Sequence, residues 1–68
     1  MQVAVRILRT NEVKTINLRN DATIIDLLDK LGFKPDTVIV TNGETPIPVD
    51  DQVKDNKELT IIQVSSGG

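Results

Sequence analysis

Hydrophobic and polar positions alternate from the first residues of the chain. Val3, Val5 and Ile7 interleave with Gln2, Ala4, Arg6 and Leu8, the period of two that a strand with one buried face requires. Arg9-Thr10-Asn11-Glu12 interrupts the pattern with turn-tolerant residues, and Val13 to Leu18 resumes it, with Ile16 and Leu18 as the inward positions. A short polar link between two such segments predicts an N-terminal hairpin.

The period then changes. Ile24, Leu27, Leu28 and Leu31 fall at i, i+3, i+4 and i+7 and line one face of a helix, while Asp26, Asp29 and Lys30 point elsewhere. Thr23 followed by Asp26 three residues later has the form of a capping box with the shorter acid, and its negative charge suits the positive end of the helix. Gly32 supplies the left-handed stop and Pro35 prevents continuation. The helix is therefore expected over Thr23 to Leu31.

Thr37-Val38-Ile39-Val40-Thr41 is a β-branched run that ends at Asn42-Gly43, a strong hairpin-turn signal. Pro46 and Pro48 flank Ile47, so the next segment must be a short edge strand or irregular, because proline donates nothing to a ladder. Asp50 to Lys57 is polar, with a turn expected at Asp55-Asn56, and leads to a last strand, Glu58 to Val64. Along that strand Leu59 and Ile61 are expected to face the helix, which leaves Ile62 and Val64 on the opposite face. The order is strand, strand, helix, strand, short strand, strand, an α+β arrangement of one sheet on one helix. Residues 1–64 form one domain in this reading, and Ser65-Ser66-Gly67-Gly68 form a small-residue tail expected to be mobile.

Composition narrows the function classes. A chain of 68 residues has room for one small core, and it contains no Cys and no His. Disulfide, thiolate and imidazole devices are thus absent, as are the commonest general base and the best nucleophile at neutral pH. No catalytic residues, bound cofactor or metal site are assigned. Asp50 and Asp51 are adjacent acids in an extended loop and read as solvated, and the stretch to Glu58 lacks the glycine and spacing of a calcium-binding loop. The net charge is −2 and Phe33 is the sole aromatic residue. Nucleic acid is therefore not an expected partner, for want of both a basic surface and stacking platforms. Arg6, Arg9, Lys14 and Arg19 gather in the first third of the chain and read as solvated strand edges, with a patch for an acidic partner as the alternative. No run is apolar enough for a signal peptide or membrane span, and a cytoplasmic location is expected.

The reactive group left is the terminal carboxylate. Two glycines, lacking Cβ atoms, let a bulky domain present a thin extended probe to a narrow slot. A carboxylate is a poor electrophile until another protein activates it. The same four residues also read as a plain small-residue terminus without chemistry.

The element order, the helix from Thr23, the turn at Asn42-Gly43, the strand from Leu59 to Val64 and the terminal Gly67-Gly68 together resemble the ubiquitin-like sulfur carriers. That group includes the thiamine-pathway carrier, the small subunit of molybdopterin synthase, the ubiquitin-related modifier and the small archaeal modifier proteins. Val40-Thr41-Asn42-Gly43-Glu44 is especially similar to the thiamine-pathway carriers. The resemblance spans essentially the whole chain. It implies a ubiquitin-like β-grasp fold, a mixed sheet of four to five strands packed on one helix, with a flexible C-terminal diglycine tail.

The resemblance also implies a cycle. An adenylyltransferase of the ubiquitin-activating type uses ATP and Mg to adenylate Gly68, and a persulfide-bearing donor supplies the sulfur of a C-terminal thiocarboxylate. That group serves a sulfur-accepting synthase in thiamine or molybdopterin biosynthesis, or tRNA thiolation. The alternative within the same group is a protein modifier, joined through Gly68 to target lysines. Ile62, Val64, Ser65 and Ser66 are the expected partner-docking residues. Ser65-Ser66 stand where an apolar or bulky residue often occurs in these carriers. A stand-alone interaction domain and a subunit of a heteromeric enzyme remain the readings of other classes.

Overall fold

The structure, a computed structural model, describes residues 1–54 and 58–64. The tail Ser65 to Gly68 and the turn expected at Asp55-Asn56 lie outside the described residues. The elements run β1 (Gln2–Ile7), β2 (Glu12–Asn17), α1 (Ile24–Leu31), a 3-10 turn over Pro35–Thr37, β3 (Val38–Thr41) and β4 (Glu58–Gln63). The four strands form one mixed sheet in the order β2-β1-β4-β3. β1 pairs antiparallel with β2 and parallel with β4, and β3 pairs antiparallel with β4.

Alternation sets the layers. Val3, Val5 and Ile7 of β1, Val38 and Val40 of β3, and Leu59 and Ile61 of β4 are buried on the face that α1 covers with Ile24, Leu27 and Leu28. Each such aliphatic side chain contributes about 1.5–3 kcal/mol on removal from water. Leu18 is buried as expected, but it lies one residue past β2, and Ile16 is only half-buried at the sheet edge.

The helix boundaries are those its chemistry calls for. Thr23 is the N-cap in extended conformation: its Oγ1 accepts from the Asp26 N–H at 3.3 Å, and its own N–H donates to Asp26 Oδ2 at 2.9 Å. The expected capping box is complete. The two N–H groups it leaves open are met by the chain that returns past the helix start, Ile24 donating to Asp51 O at 2.9 Å and Ile25 to Val49 O at 3.0 Å. A helix normally leaves its first N–H groups without internal acceptors, and here each has a partner. At the other end Gly32 has φ +83°, its N–H donates to Asp29 O, and the Phe33 N–H donates to Leu28 O at 2.9 Å. These two bonds make a Schellman stop, for which a left-handed residue is needed.

The sheet has four strands among the described residues, the lower of the two expected counts, and the segment between the prolines takes the irregular alternative: it makes one isolated bridge, Thr41 to Pro46, and one further backbone bond, from Ile47 N–H to Val40 O at 2.8 Å. Pro46 and Pro48 withhold the donors that a longer ladder needs. Asp50 and Asp51 are exposed, as expected, while Val53 in the same polar stretch turns inward. Val53 is fully buried and its N–H donates to Ala22 O at 2.8 Å, so this loop closes over the helix entrance. The turn after β3 spans Asn42 to Thr45, with Asn42 Oδ1 accepting from the N–H groups of Glu44 and Thr45 at 3.1 and 3.0 Å and Gly43 at φ +102°. No helix among the described residues is long and apolar enough to cross a membrane.

The Asp26 carboxyl is held below the usual carboxylate range, chiefly by the Thr23 backbone N–H, with the Thr23 hydroxyl and the Arg19 guanidinium adding to an effect that partial desolvation opposes. A lowered pKa in the folded state means that the ionised form stabilises the fold. That contribution is complete above the ordinary aspartate value, about 3.9, and is lost as pH falls through the lower folded value. Urea unfolding across this window is expected to show the wild type losing stability relative to Asp26→Asn as pH drops below about 4. Thr23→Ala is expected to cost about 1 kcal/mol at neutral pH, read from the shift in unfolding midpoint.

Candidate functional site

The candidate site is the face of the sheet turned away from α1. The outward positions of β4 are Glu58, Thr60 and Ile62, and they are flanked in register by Ala4 and Arg6 of β1 and by Ile39 and Thr41 of β3. The parallel ladder runs one residue beyond β1, where Leu8 N–H donates to Ile61 O at 3.0 Å, so Leu8 stands beside Ile62 on the outer face. An apolar row therefore crosses three strands: Leu8, Ile62 and Ile39. Leu8 is 51% and Ile39 41% exposed, and Ile62, flanked by both, is half-buried. Val64 follows on the same side by alternation and is 55% exposed.

Two of the expected docking residues, Ile62 and Val64, thus sit where strand alternation puts them, opposite Leu59 and Ile61. Ser65, Ser66, Gly67 and Gly68 lie outside the described residues. Leu8 and Ile39 belong to the row but were not singled out by sequence. Leu8 was readable as the outward continuation of β1, and Ile39 as the outward residue between Val38 and Val40. Only the strand order shows that they flank Ile62.

Val64 is the last described residue, and its N–H donates to Thr37 O at 3.0 Å, which extends the β3–β4 pairing past the end of β4. The chain is consequently tied to the sheet up to the point from which residues 65–68 begin.

The four basic residues of the first third do not form one stripe. Arg6 is on the outer face, where its Nη1 donates to Asn11 Oδ1 at 3.4 Å. Lys14 lies on the helix side of β2, and Arg19 pairs with Asp21 at 3.7 Å and Asp26 at 3.9 Å near the helix start. These exposed ion pairs add little stability. Asp50 and Asp51 are exposed, and Asp51 is engaged through its backbone, its carbonyl accepting from Ile24 and its N–H donating to Pro48 O at 3.1 Å. An open groove beside them, lined by Asn42, Pro46, Ile47, Asp50, Asp51 and Lys54, lies at the loop that closes over the helix entrance.

Comparison with known proteins agrees with this arrangement. A family model for small archaeal modifier protein 2 matches residues 1–65. The sulfur carrier protein TtuB of Thermus thermophilus is 29% identical over 62 residues, which cover 91% of this chain and 95% of that protein. An uncharacterised protein of Archaeoglobus fulgidus is 42% identical over 43 residues, 63% of each chain. Among solved structures, SAMP1 from Haloferax volcanii superposes over the whole of both chains with a TM-score of 0.72 at 18% identity, a likeness of fold. The fold is the ubiquitin-like β-grasp, and the chain belongs to the small archaeal modifier protein 2 family, within the ubiquitin-like sulfur carriers and modifiers.

Proposed function

We propose that this chain is a sulfur carrier whose reactive group is the carboxylate of Gly68. The observation that carries the proposal is the apolar row in which exposed Leu8 and Ile39 flank half-buried Ile62, continued by exposed Val64 just past the end of β4. An aliphatic cluster beside the point where residues 65–68 begin suits a partner that must grip the domain and take in its terminus together. The relative named as a sulfur carrier protein supports the chemistry.

In the proposed cycle an ATP-dependent enzyme of the ubiquitin-activating type binds the outer face. The Gly68 carboxylate attacks the α-phosphorus of ATP with its Mg ion, and pyrophosphate leaves. A persulfide sulfur of the donor then attacks the acyl carbon and AMP leaves, giving an acyl disulfide. A second thiol cleaves that disulfide, so the thiocarboxylate is released and the two thiols are left oxidised to a disulfide. The thiocarboxylate is a stronger nucleophile than the carboxylate and transfers sulfur to an acceptor bound by the next enzyme. Ser65 and Ser66 are read as part of the docking contact, and Gly67 and Gly68, lacking side chains, suit entry of the terminus into a narrow active site. The family description supports a second use of the same activated terminus, in which a lysine amine attacks the acyl-adenylate and forms an isopeptide bond.

With the cognate activating enzyme, ATP and a persulfide donor, intact-mass measurement is expected to show exchange of one oxygen for sulfur at Gly68. An unchanged mass would overturn the carrier reading, and a branched peptide joining Gly68 to a lysine would establish the modifier use. Deleting Gly67-Gly68 is expected to abolish ATP–pyrophosphate exchange.

Leu8→Asp and Ile39→Asp place charges at positions already half-exposed, so both variants are expected to stay folded. Each is expected to raise the KM for this protein in the activation reaction about tenfold or more, with kcat little changed, as for a docking residue of at least ~1.4 kcal/mol. Leu59→Ala is expected instead to lose about 2–5 kcal/mol of stability, because it empties the opposite, buried face.

A further inference from the structure

The two edges of the sheet are finished differently. The edge of β3 is covered where Thr41 bridges Pro46 and Ile47 N–H reaches Val40 O. The edge of β2 is bare among the described residues. β2 has six residues, contains no proline, and is exposed at every position except the half-buried Ile16. Its hydrogen-bond phase follows from Met1 and Leu18, which exchange both backbone bonds, at 2.7 and 2.8 Å. In an antiparallel ladder such pairs alternate with pairs that do not bond, so Ile16, Lys14 and Glu12 also point their backbone groups at β1. The N–H and C=O groups of Val13, Thr15 and Asn17 point the other way, off the edge. Unpaired groups in a row are a template for another strand.

We propose that this edge pairs with β2 of a second copy of the chain, antiparallel and two-fold about Val13. The charges select the occupant and the register. Glu12 and Lys14 are both exposed, two residues apart, and share the helix side of the sheet. Centring the two-fold on Val13 sets Glu12 opposite the second copy's Lys14, and Lys14 opposite its Glu12. Val13, 57% exposed, then meets the second copy's Val13 on the outer face, and the two residues exchange backbone bonds in the phase already deduced. Other registers lack this match: centring on Lys14 opposes two ammonium groups, while centring on Thr15 or Ile16 sets Lys14 against Ile16 or Leu18. A lysine on an edge strand deters indiscriminate pairing, and its effect is cancelled by a partner that brings a carboxylate to the right place.

The pairing spans residues 12–14 of each copy, because Asn11 at φ +58° ends the extended backbone, and it joins the two sheets edge to edge. β4, with Ile62, is separated from the shared edge by β1, so the apolar row of each copy stays clear of the pairing. A single strand pairing buries less than the roughly 1,200 Å² of a standard stable interface, so the association is weak and concentration-dependent. Activation of the terminus does not depend on it.

Sedimentation of the full chain from micromolar to millimolar concentration tests the pairing, with amide exchange of Val13 as a local readout. The expected result is a monomer–dimer equilibrium in which the Val13 amide becomes protected as the dimer fills. Glu12→Lys and Lys14→Glu are each expected to weaken the dimer about tenfold or more, and the double exchange to restore it. A wild type that stays monomeric at millimolar concentration overturns the proposal. So does a dimer that is indifferent to both single reversals, or one that forms while Val13 exchanges freely.

Discussion

The first and last strands pair in parallel at the centre of the sheet, with Val5 beside Leu59 and Ile7 beside Ile61. Nothing local enforces this. The two segments lie at opposite ends of the described chain, and joining them requires almost everything between to be placed, at a loop-closure cost that local contacts do not repay. Burial supplies the return. Val5, Leu59 and Ile61 are fully inaccessible under Leu27 and Leu28, and no strand reaches that state without the other. Since β1 and β4 are the inner strands, β2 and β3 can each attach only at an outer edge.

That central pair also separates stability from recognition. On β4 successive side chains point to opposite faces, so Leu59 and Ile61 hold the helix while Ile62 reaches the surface between Leu8 and Ile39. A parallel partner makes Leu8 possible, because β1 and β4 run out at the same end of the sheet and their last outward residues meet there. The apolar row is therefore a consequence of topology, and it lies at the end where β4 hands on the chain.

The parts legible in the sequence are those with local causes. Thr23, Asp26, Gly32 and Pro35 each act within a turn of themselves, and the helix ends where they dictate. The alternation of β1 and β4 fixed their buried faces, and Pro46 and Pro48 limited the segment between them to a single bridge. The features that could not be read depended on contacts between distant segments. Val53 sits in a stretch that is polar on average, and it is buried because Ala22 and Thr23 lie against that stretch, through the Val53–Ala22 bond and the Thr23–Gln52 bridge. Leu8 and Ile39 looked like ordinary outward residues until the strand order set them on either side of Ile62. The terminal residues lie outside the described chain, and their reading rests on chemistry and family resemblance.

The loop over the helix entrance shows how a small protein without disulfides closes its core. Asp51 and Val49 accept from the first two N–H groups of α1, Val53 donates to Ala22, and the capping box takes up the Asp26 N–H. One segment thereby satisfies donors that would otherwise face solvent and inserts Val53 into the core. Prolines at 46 and 48 suit this task, since the segment has to leave the β3 edge after one bridge in order to reach the helix. The same departure leaves the end of β3 covered by its own chain, while among the described residues no segment follows β2 along its edge. The asymmetry between the two edges is therefore the other side of how the helix is capped.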